Sequence, residues 1–382
     1  MLTPEFQERI RWRDYLPWLV LLRTWEFAIR GTPMVSAVVA SLLVWGIEYV
    51  EYESIGPRRI ALATLALPAA SLDSVPRWNV PPGALKVFWP YEAVIKDCTG
   101  AARLMTREPR LAALLLLSGL AQFAVWGWLG VIIARSAVAG LSDRRDSFPV
   151  AVTFGLRRWA SSVGGPLLPL FAVAVMGLFV LVISLPGRVP YGVGAAWLWL
   201  ISPILLLTGL GAAFLLGVLL VSWPLIQAAV VIDRDCDGFN ALSRVYNYIT
   251  VRPWHLCWYV LVVAVTSPLV LLVVQWLEQT ALAMMPGMAL LGAGAGGSEA
   301  RLPIALPWLL NLLVTAFSAS YFWSAVGLTY VLLRRSVDGV PLEKLVSHDG
   351  SELNRDPYPV VGMAAAVPVP PSDAPPADPT PQ

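Results

Sequence analysis

The chain has 382 residues, of which 57% are hydrophobic and only 14% are charged, and its mean hydropathy is +0.66. Soluble domains have about 45–50% apolar and about 25% charged residues, so this composition excludes an ordinary soluble globular protein. The formal net charge of +2 gives no reason to expect a nucleic-acid partner.

Five stretches without a charged side chain lie between residues 110 and 334, and each is long enough to cross a bilayer. About twenty apolar residues, at a rise of 1.5 Å each, cross a hydrocarbon core of about 30 Å. A backbone in lipid must satisfy its own polar groups, so these stretches are predicted as helices. A weaker first span runs from Gly31 to about Tyr49, and the others lie near 111–133, 167–185, 198–221, 257–277 and 306–332.

The predicted fold class is therefore an all-α integral membrane protein with about six transmembrane helices. Residues 1–335 form the membrane domain, with a long outer loop at about 50–110. Residues 336–382 form a Pro-rich cytoplasmic tail that is expected to be disordered, since from Asp356 onward it holds nine prolines in 27 residues and almost no large apolar side chain. Trp199 and Trp223 flank the fourth span and Trp254 and Trp276 flank the fifth, as membrane-interface anchors do.

The distribution of basic residues predicts the orientation of the chain. With both termini inside, the cytoplasmic segments hold 17 of the 27 Lys and Arg residues. Cytoplasmic loops of membrane proteins carry an excess of Lys and Arg, so both termini are predicted to be cytoplasmic.

Three amphipathic stretches, near 18–29, 148–159 and 239–249, each precede a proline that opens a span: Pro33, Pro166 and Pro253. Apolar residues at spacings of three and four predict interfacial elbow helices, and proline suits the first turn of the helix that follows. In the third stretch, Arg244 is predicted to face away from the apolar side. The pattern indicates three repeats of an elbow and a two-span hairpin; the alternative is a set of unrelated amphipathic loops.

The run from Asp237 to Trp254 contains an acidic residue, then Phe-Asn-Ala-Leu-Ser-Arg, and then Arg-Pro-Trp. It resembles the elbow segment of a family of uncharacterised bacterial multi-spanning proteins, and the likeness extends loosely over residues 88–265. The chain is more distantly similar to the membrane domain of some bacterial glycerophosphodiester phosphodiesterases. The resemblance implies a bacterial inner membrane protein without that family's catalytic domain, and it implies no activity.

Asp233, Asp235 and Gly238 match the first half of a calcium-binding loop, but Arg244 stands where such a loop needs a bidentate Glu. The alternative is that Asp237 caps the elbow helix while Asp233 and Asp235 are solvated. The alternative is preferred, so no metal site is predicted.

The remaining candidate positions are structural. Arg252 and Pro253 are predicted to form the third elbow bend. Small residues four apart in the fourth span, Gly209, Ala213 and Gly217, are predicted to let another helix approach closely. Asn311 begins a polar seam that continues to Ser324. The two histidines have no partner at a metal-ligand spacing, and no catalytic residue or cofactor site is predicted.

The sequence therefore predicts a non-catalytic integral membrane protein that acts through packing with lipids or partner proteins, including a second copy of itself. A transporter or channel for a neutral or amphipathic solute is the second hypothesis, and a lipid-modifying enzyme is the third. The second to sixth spans contain no Asp, Glu, Lys, Arg or His, and Glu48 lies at the outer edge of the first. Any transport is thus expected to be uncoupled from protons.

Overall fold

A computed structural model describes residues 16–55, 86–105, 107–142, 147–190, 192–233, 237–293 and 305–339, and these residues form helices and turns without a strand. Within them, six segments are long and apolar enough to cross a membrane: Gly31–Ser54, Pro109–Ala139, Phe148–Arg188, Val193–Ile232, Pro253–Met284 and Pro307–Asp338. The predicted all-α membrane fold is confirmed. The predicted tail beyond residue 339 and the loop at 56–85 lie outside the described residues.

A 3₁₀ turn, Pro17–Arg23, and the short helix α1, Thr24–Ala28, precede the first span, α2, Gly31–Ile55. The 3₁₀ turn Lys86–Phe88 opens α3, Trp89–Leu104, which is followed by α4, Pro109–Val125. A π turn, Trp126–Gly130, joins α4 to α5, Val131–Ala139. The other helices are α6, Phe148–Ser184, α7, Val193–Ile232, α8, Gly238–Val251, α9, Pro253–Ala293, and α10, Ala305–Asp338.

Two of the three predicted elbows are separate helices, α1 and α8. The second is not: α6 is one continuous helix from Phe148 to Ser184, with Pro166 inside it. Small buried residues in this part of α6 allow close packing, since a Cβ on Gly165 would lie 3.0 Å from the carbonyl oxygen of Gly238 on α8. Neighbouring helices can support a proline inside a membrane helix, so the bend predicted at Pro166 does not interrupt α6.

The first span is longer than predicted. Helix α2 continues past Tyr49 to Ile55, and Glu51 on its last turns is only 4% exposed. The helix therefore carries a buried acidic residue, Glu51, which the sequence analysis had assigned to the outer loop at about 50–110.

Part of the segment predicted as an outer loop is a helix that packs into the bundle. Helices α3 and α4 run antiparallel: a Cβ on Gly100 would lie 3.3 Å from the Leu115 side chain, and the rings of Trp89 and Trp126 are 5.4 Å apart. The start of α3 lies against the middle of α10, where Phe88 contacts Phe322 at 5.9 Å between ring centroids. The α3–α4 hairpin thus brings the start of α3 deep into the bundle.

The helix ends gather at two faces. At one face, α8 lies with the ends of α7 and α10, where Asp233 forms ion pairs with Arg244 and Arg334. At the other, the end of α2 lies beside the start of α10, where the rings of Trp45 and Trp308 are 6.4 Å apart. We call the first the elbow face and the second the opposite face.

Candidate functional site: a groove between two membrane helices

The start of α3 is fixed in the bundle by contacts with α10 and α7. Val87 is fully buried, and the Trp89 indole Nε1 donates to the Thr315 carbonyl oxygen at 3.3 Å. The Tyr91 hydroxyl donates to the Leu220 carbonyl oxygen at 2.7 Å. That carbonyl lacks its usual helical partner, because residue 224, four positions later, is a proline without an N–H.

Tryptophan rings form a cluster around this point. Trp126, Trp223 and Trp323 are all buried, and Tyr91 stacks on Trp223 with an interplanar angle of 6° and 5.7 Å between centroids. Trp223 was predicted as an interfacial anchor, and that prediction is wrong because its ring lies in the core. Trp199 and Trp254 are exposed, at 81% and 82%.

An apolar cavity of about 240 Å³ opens next to the start of α3. It is bounded by that segment, α7, α9 and α10, through Phe88, Tyr91, Leu220, Val221, Pro224, Leu225, Leu256, Val260, Val263, Phe322, Ala325, Val326 and Thr329. A second cavity, of about 350 Å³, is lined by Phe214, Gly217, Val218, Val221, Ile249, Pro253, Leu256 and Cys257. The two cavities share Val221 and Leu256, so they adjoin, and we call them together the α7–α9 groove.

The groove opens towards the lipid. Helices α7 and α9 each pack on α10 but make little contact with each other, which leaves a cleft between them. Large apolar side chains on both sides of the cleft, such as Phe214, Leu220 and Val260, are exposed. In a membrane protein, such side chains face acyl chains, so the groove is accessible from the bilayer core.

A buried polar network lies at the elbow face. Asp233 is 3% exposed and accepts hydrogen bonds from Arg244 Nη1 at 2.8 Å, from the Tyr330 hydroxyl at 2.7 Å and from Arg334 Nη1. The prediction that Asp233 is solvated is therefore wrong. Arg244 lies on the exposed side of α8, as predicted, and reaches Asp233 from there with its side chain 44% exposed. Arg244 stands at the position where a calcium-binding loop needs a bidentate Glu. Its guanidinium donates to Asp233, one of the carboxylates that would have bound the ion.

The network continues to the end of α10. Asp338 accepts a hydrogen bond from the Tyr248 hydroxyl at 2.7 Å and pairs with Arg334 Nε at 3.5 Å. Burial, together with the bond to Asp338, raises the pKa of Tyr248, so this hydroxyl remains a donor over the ordinary pH range. Asp233, Arg244, Arg334 and Asp338 thus hold the ends of α7, α8 and α10 together.

The third elbow is built by Asp237, Arg252 and Pro253. The Asp237 carboxylate accepts from the Asn240 backbone N–H at 2.7 Å, which is an N-cap of α8. Arg252 ends α8, and its carbonyl accepts from the Leu256 N–H in the first turn of α9. Asp235 lies outside the described residues.

The small-residue stripe of α7 lies on an exposed face of that helix. Gly209, Ala213 and Gly217 are exposed, and a Cβ on either glycine would meet no atom within 4 Å. Gly217 lines the α7–α9 groove, whereas Gly209 is not among its lining residues. Within the described ranges, no other helix makes the close approach predicted for this stripe.

The predicted polar seam of α10 is partly used for helix contacts. Asn311 is half-buried, and its side-chain oxygen lies 3.4 Å from the Thr315 hydroxyl. Ser320 donates to the Ala28 carbonyl oxygen at 2.7 Å and so satisfies a carbonyl at the end of α1.

A second polar cluster joins α2 to the α3–α4 hairpin. The Ser118 hydroxyl lies 2.8 Å from Glu51 Oε2 and 2.9 Å from Asp97 Oδ2, and Gln122 Nε2 donates to the same Asp97 oxygen at 2.8 Å. All four side chains are buried. The sequence analysis placed Glu51 and Asp97 in the outer loop at about 50–110, so it did not foresee this cluster.

No family model matches the chain, and neither curated proteins nor solved structures include one that is significantly similar to it. The resemblance to uncharacterised bacterial membrane proteins and to the phosphodiesterase membrane domain therefore stays a prediction. Across the described ranges, no group of three His, Cys, Asp or Glu side chains is placed to hold a metal ion.

Proposed function

We propose that the protein binds a membrane lipid, with one acyl chain in the α7–α9 groove, and that it acts through this binding. The observation that carries the proposal is the groove itself, which runs from the lipid-facing cleft to the start of α3. An acyl chain in the bilayer is already in an apolar medium, so the hydrophobic effect does not drive it into the groove. Dispersion contacts favour the entry of the acyl chain, because an unfilled groove leaves its lining atoms without neighbours.

The elbow end of the groove suits a lipid head group. Pro253 lines the groove, and the adjacent residues Arg252, Trp254 and His255 are exposed at the elbow face. A basic residue near the membrane surface contributes about 1 kcal/mol to the attraction of anionic lipid. We infer that an anionic phospholipid fits better than a neutral one.

The proposed role is binding rather than catalysis. Among the described residues that line the groove, only Tyr91, Thr329 and Cys257 have polar side chains. Tyr91 already donates to the Leu220 carbonyl, and burial raises the pKa of its hydroxyl, which therefore stays neutral. A lipid-modifying enzyme needs a nucleophile and a base that face each other near the head group. Cys257 lines the groove and His255 lies near the proposed head group, but residues two apart on a helix point to different sides, so they do not form such a pair.

Transport of an amphipathic solute is the second candidate function. It is favoured by the start of α3, which closes the deep end of the groove and is joined through a hairpin to α4. Movement of this segment would extend the groove towards the opposite face. We further propose that the elbow face is cytoplasmic in a bacterial inner membrane, from its excess of Lys and Arg. The exposed stripe around Gly209 and Ala213 is then available to a membrane-protein partner or a second copy.

Extraction of the full chain in native lipid particles, followed by mass spectrometry of the retained lipids, tests the proposal. Gly217→Leu places a side chain in the groove and is expected to reduce the retained anionic phospholipid several-fold. Gly209→Leu adds the same side chain to the same exposed face outside the groove, so it is the matched control and is expected to retain lipid normally.

Cys257 gives a second measurement, because its thiol lines the groove. On a variant whose other cysteines are replaced, we expect an alkyl maleimide to react with Cys257 more slowly when anionic phospholipid is added to delipidated protein. Equal lipid retention in Gly217→Leu and Gly209→Leu, with an unchanged rate at Cys257, would contradict the proposal.

A further inference from the structure

We propose that the α7–α9 groove selects its lipid by acyl-chain length, and that Phe88 and Phe322 set the limit. The inference rests on the proposed function, because it specifies the chain that the groove holds. Both residues line the cavity of about 240 Å³ at the deep end of the groove. Their rings meet edge to face, with 5.9 Å between the centroids, and we call this pair of rings the groove floor.

Along α9 the groove is as long as one leaflet of the bilayer. Its lining residues on this helix begin at Pro253, the first residue of the span, and end at Val263. The ten residues between these positions give a rise of about 15 Å. That distance is half of a hydrocarbon core of about 30 Å. The groove therefore fits a chain from the leaflet at the elbow face and ends near the bilayer midplane.

Helix α10 gives the same depth independently. Its membrane segment is Pro307–Asp338, and Phe322 stands at the middle of that segment. The other lining residues of α10 are Ala325, Val326 and Thr329, which all lie between Phe322 and the elbow end of the helix. The groove floor is thus near the midplane by the position of α10 as well as by the length of α9.

The groove floor is held in place by buried contacts on its far side. Val87, next to Phe88, is fully buried, and Trp89 Nε1 donates to a carbonyl of α10 at 3.3 Å. Phe322 is 4% exposed and packs on Trp323 with 5.4 Å between ring centroids. Closely packed interiors resist added volume, because extra methylene groups force side chains out of their preferred rotamers. An acyl chain longer than the groove must therefore displace buried rings or fold back into the cleft, so it binds less well than a chain that fits.

The other end of the chain is fixed by charge. Arg252 is exposed beside Pro253, and its positive charge complements an anionic head group. A head group at Arg252 and a floor at Phe88 and Phe322 define a fixed distance. The occupant is therefore one chain of an anionic phospholipid from the leaflet at the elbow face, and the groove measures the length of that chain.

Lipid competition tests the selection by length. Purified full-length protein is equilibrated with a mixture of phosphatidylglycerols that differ only in acyl-chain length, and the retained lipids are identified by mass spectrometry. We expect the unmodified protein to discriminate several-fold against chains above one length. Phe88→Ala and Phe322→Ala should extend this limit to longer chains. Ala325→Leu adds volume one turn above the groove floor and should shift the limit to shorter chains.

Two further variants keep the test decisive. Phe88 is half-buried, so Phe88→Leu shortens the side chain at the groove floor even if loss of the buried Phe322 ring prevents folding, and it should also extend the limit. Phe171→Ala is the matched control, because it removes a ring that is 70% exposed on α6 and does not line the groove. Its length profile should equal that of the unmodified protein.

The possible failures are distinguishable. If Gly217→Leu reduces lipid retention but the floor variants leave the length profile unchanged, selection by length is overturned and the proposed function stands. If Gly217→Leu retains as much lipid as Gly209→Leu, the groove does not hold the lipid and both proposals are overturned.

Photochemical cross-linking measures the position of the chain directly. A phosphatidylglycerol with a diazirine at the end of its acyl chain is expected to modify the protein around Phe88 and Phe322. The same lipid with the diazirine next to its head group is expected to modify the bend at Pro253. Reaction of the chain-end probe at the opposite face, near Trp45 and Trp308, would show that the chain enters from the other leaflet and would overturn the inference.

Discussion

Replacement of Asp233 by alanine is the most discriminating test of how the helix ends are held together. Its carboxylate is buried and accepts from two guanidinium groups and one hydroxyl. Removing one partner of a buried ion pair costs about 3–5 kcal/mol, because the remaining charge stays buried without compensation. We expect Asp233→Ala to lower the free energy of unfolding by an amount in this range.

The two arginine partners should differ from each other. The Arg244 side chain is 44% exposed, so its pair with Asp233 is screened by solvent and contributes about 0–1 kcal/mol. The Arg334 side chain is only 19% exposed, so its ion pair with Asp233 is less screened by solvent, and its loss leaves the buried carboxylate with only the more exposed Arg244 as a charged partner. We therefore expect destabilisation to increase from Arg244→Ala to Arg334→Ala to Asp233→Ala.

The measurement is reversible unfolding of the purified protein in mixed micelles by a denaturing detergent, followed by circular dichroism. Asp237→Ala is the matched control, since Asp237 is the N-cap of α8 and such a cap contributes about 1 kcal/mol. If Asp233→Ala is no more damaging than Asp237→Ala, the buried network contributes little and the reasoning is refuted. A stabilisation by calcium that vanishes in Asp233→Ala would instead support the calcium loop.

Three further outcomes are expected from other parts of the chain. Tyr91→Phe should destabilise the protein by about 1–3 kcal/mol in the same unfolding assay, because the carbonyl that Pro224 leaves free loses its donor. In a Pro224→Ala background the helix supplies its own N–H, so Tyr91→Phe should cost less, and an equal cost would contradict this pairing. Gly130→Ala should lower the melting temperature strongly, because its Cβ would overlap the Trp323 indole. Single cysteines at Val189 and Phe239 should react with an impermeant maleimide from opposite sides, with only Val189 labelled in intact cells; labelling of Phe239 there would reverse the orientation.

The spans that are continuous and uncharged were predictable from sequence alone. Helices α7 and α9 are apolar over more than twenty residues, and no competing signal interrupts them. The N-cap at Asp237 and the break at Pro253 were also predictable, because local backbone chemistry determines both.

Helix α3 was not predictable by the same reasoning. It contains Glu92, Lys96 and Asp97, so a search for uncharged stretches assigns it to a loop. Two of these residues are exposed, but Asp97 is buried through hydrogen bonds to α4. Whether a charged residue faces solvent or a polar partner depends on the tertiary structure, which the spacing of one helix does not contain.

The groove was also not predictable from sequence, because it is formed by the way distant helices pack together. Pro224 and Gly217 are visible in the sequence as a kink and a small residue, and either could have packed against a neighbour. Only the placement of α10, on which both α7 and α9 pack, leaves the cleft between them. Asp233 illustrates the point at the elbow face, because the side chains that bury its carboxylate include Tyr330 and Arg334, which come from the distant helix α10.

Backbone carbonyls that lack a helical N–H donor explain why segments distant in sequence meet at the groove. An unsatisfied carbonyl in hydrocarbon costs several kcal/mol, so each break in a helix needs a donor from elsewhere. Tyr91 supplies one at Leu220 in α7, and the Trp159 indole supplies another at Ala124, next to the π turn, at 3.0 Å. Because the donor at Leu220 comes from α3, Pro224 inside α7 also helps to hold α3 at the deep end of the groove. A change that moves α3 must therefore either break this hydrogen bond or carry α7 with it, so the groove and the α3–α4 hairpin are expected to move together.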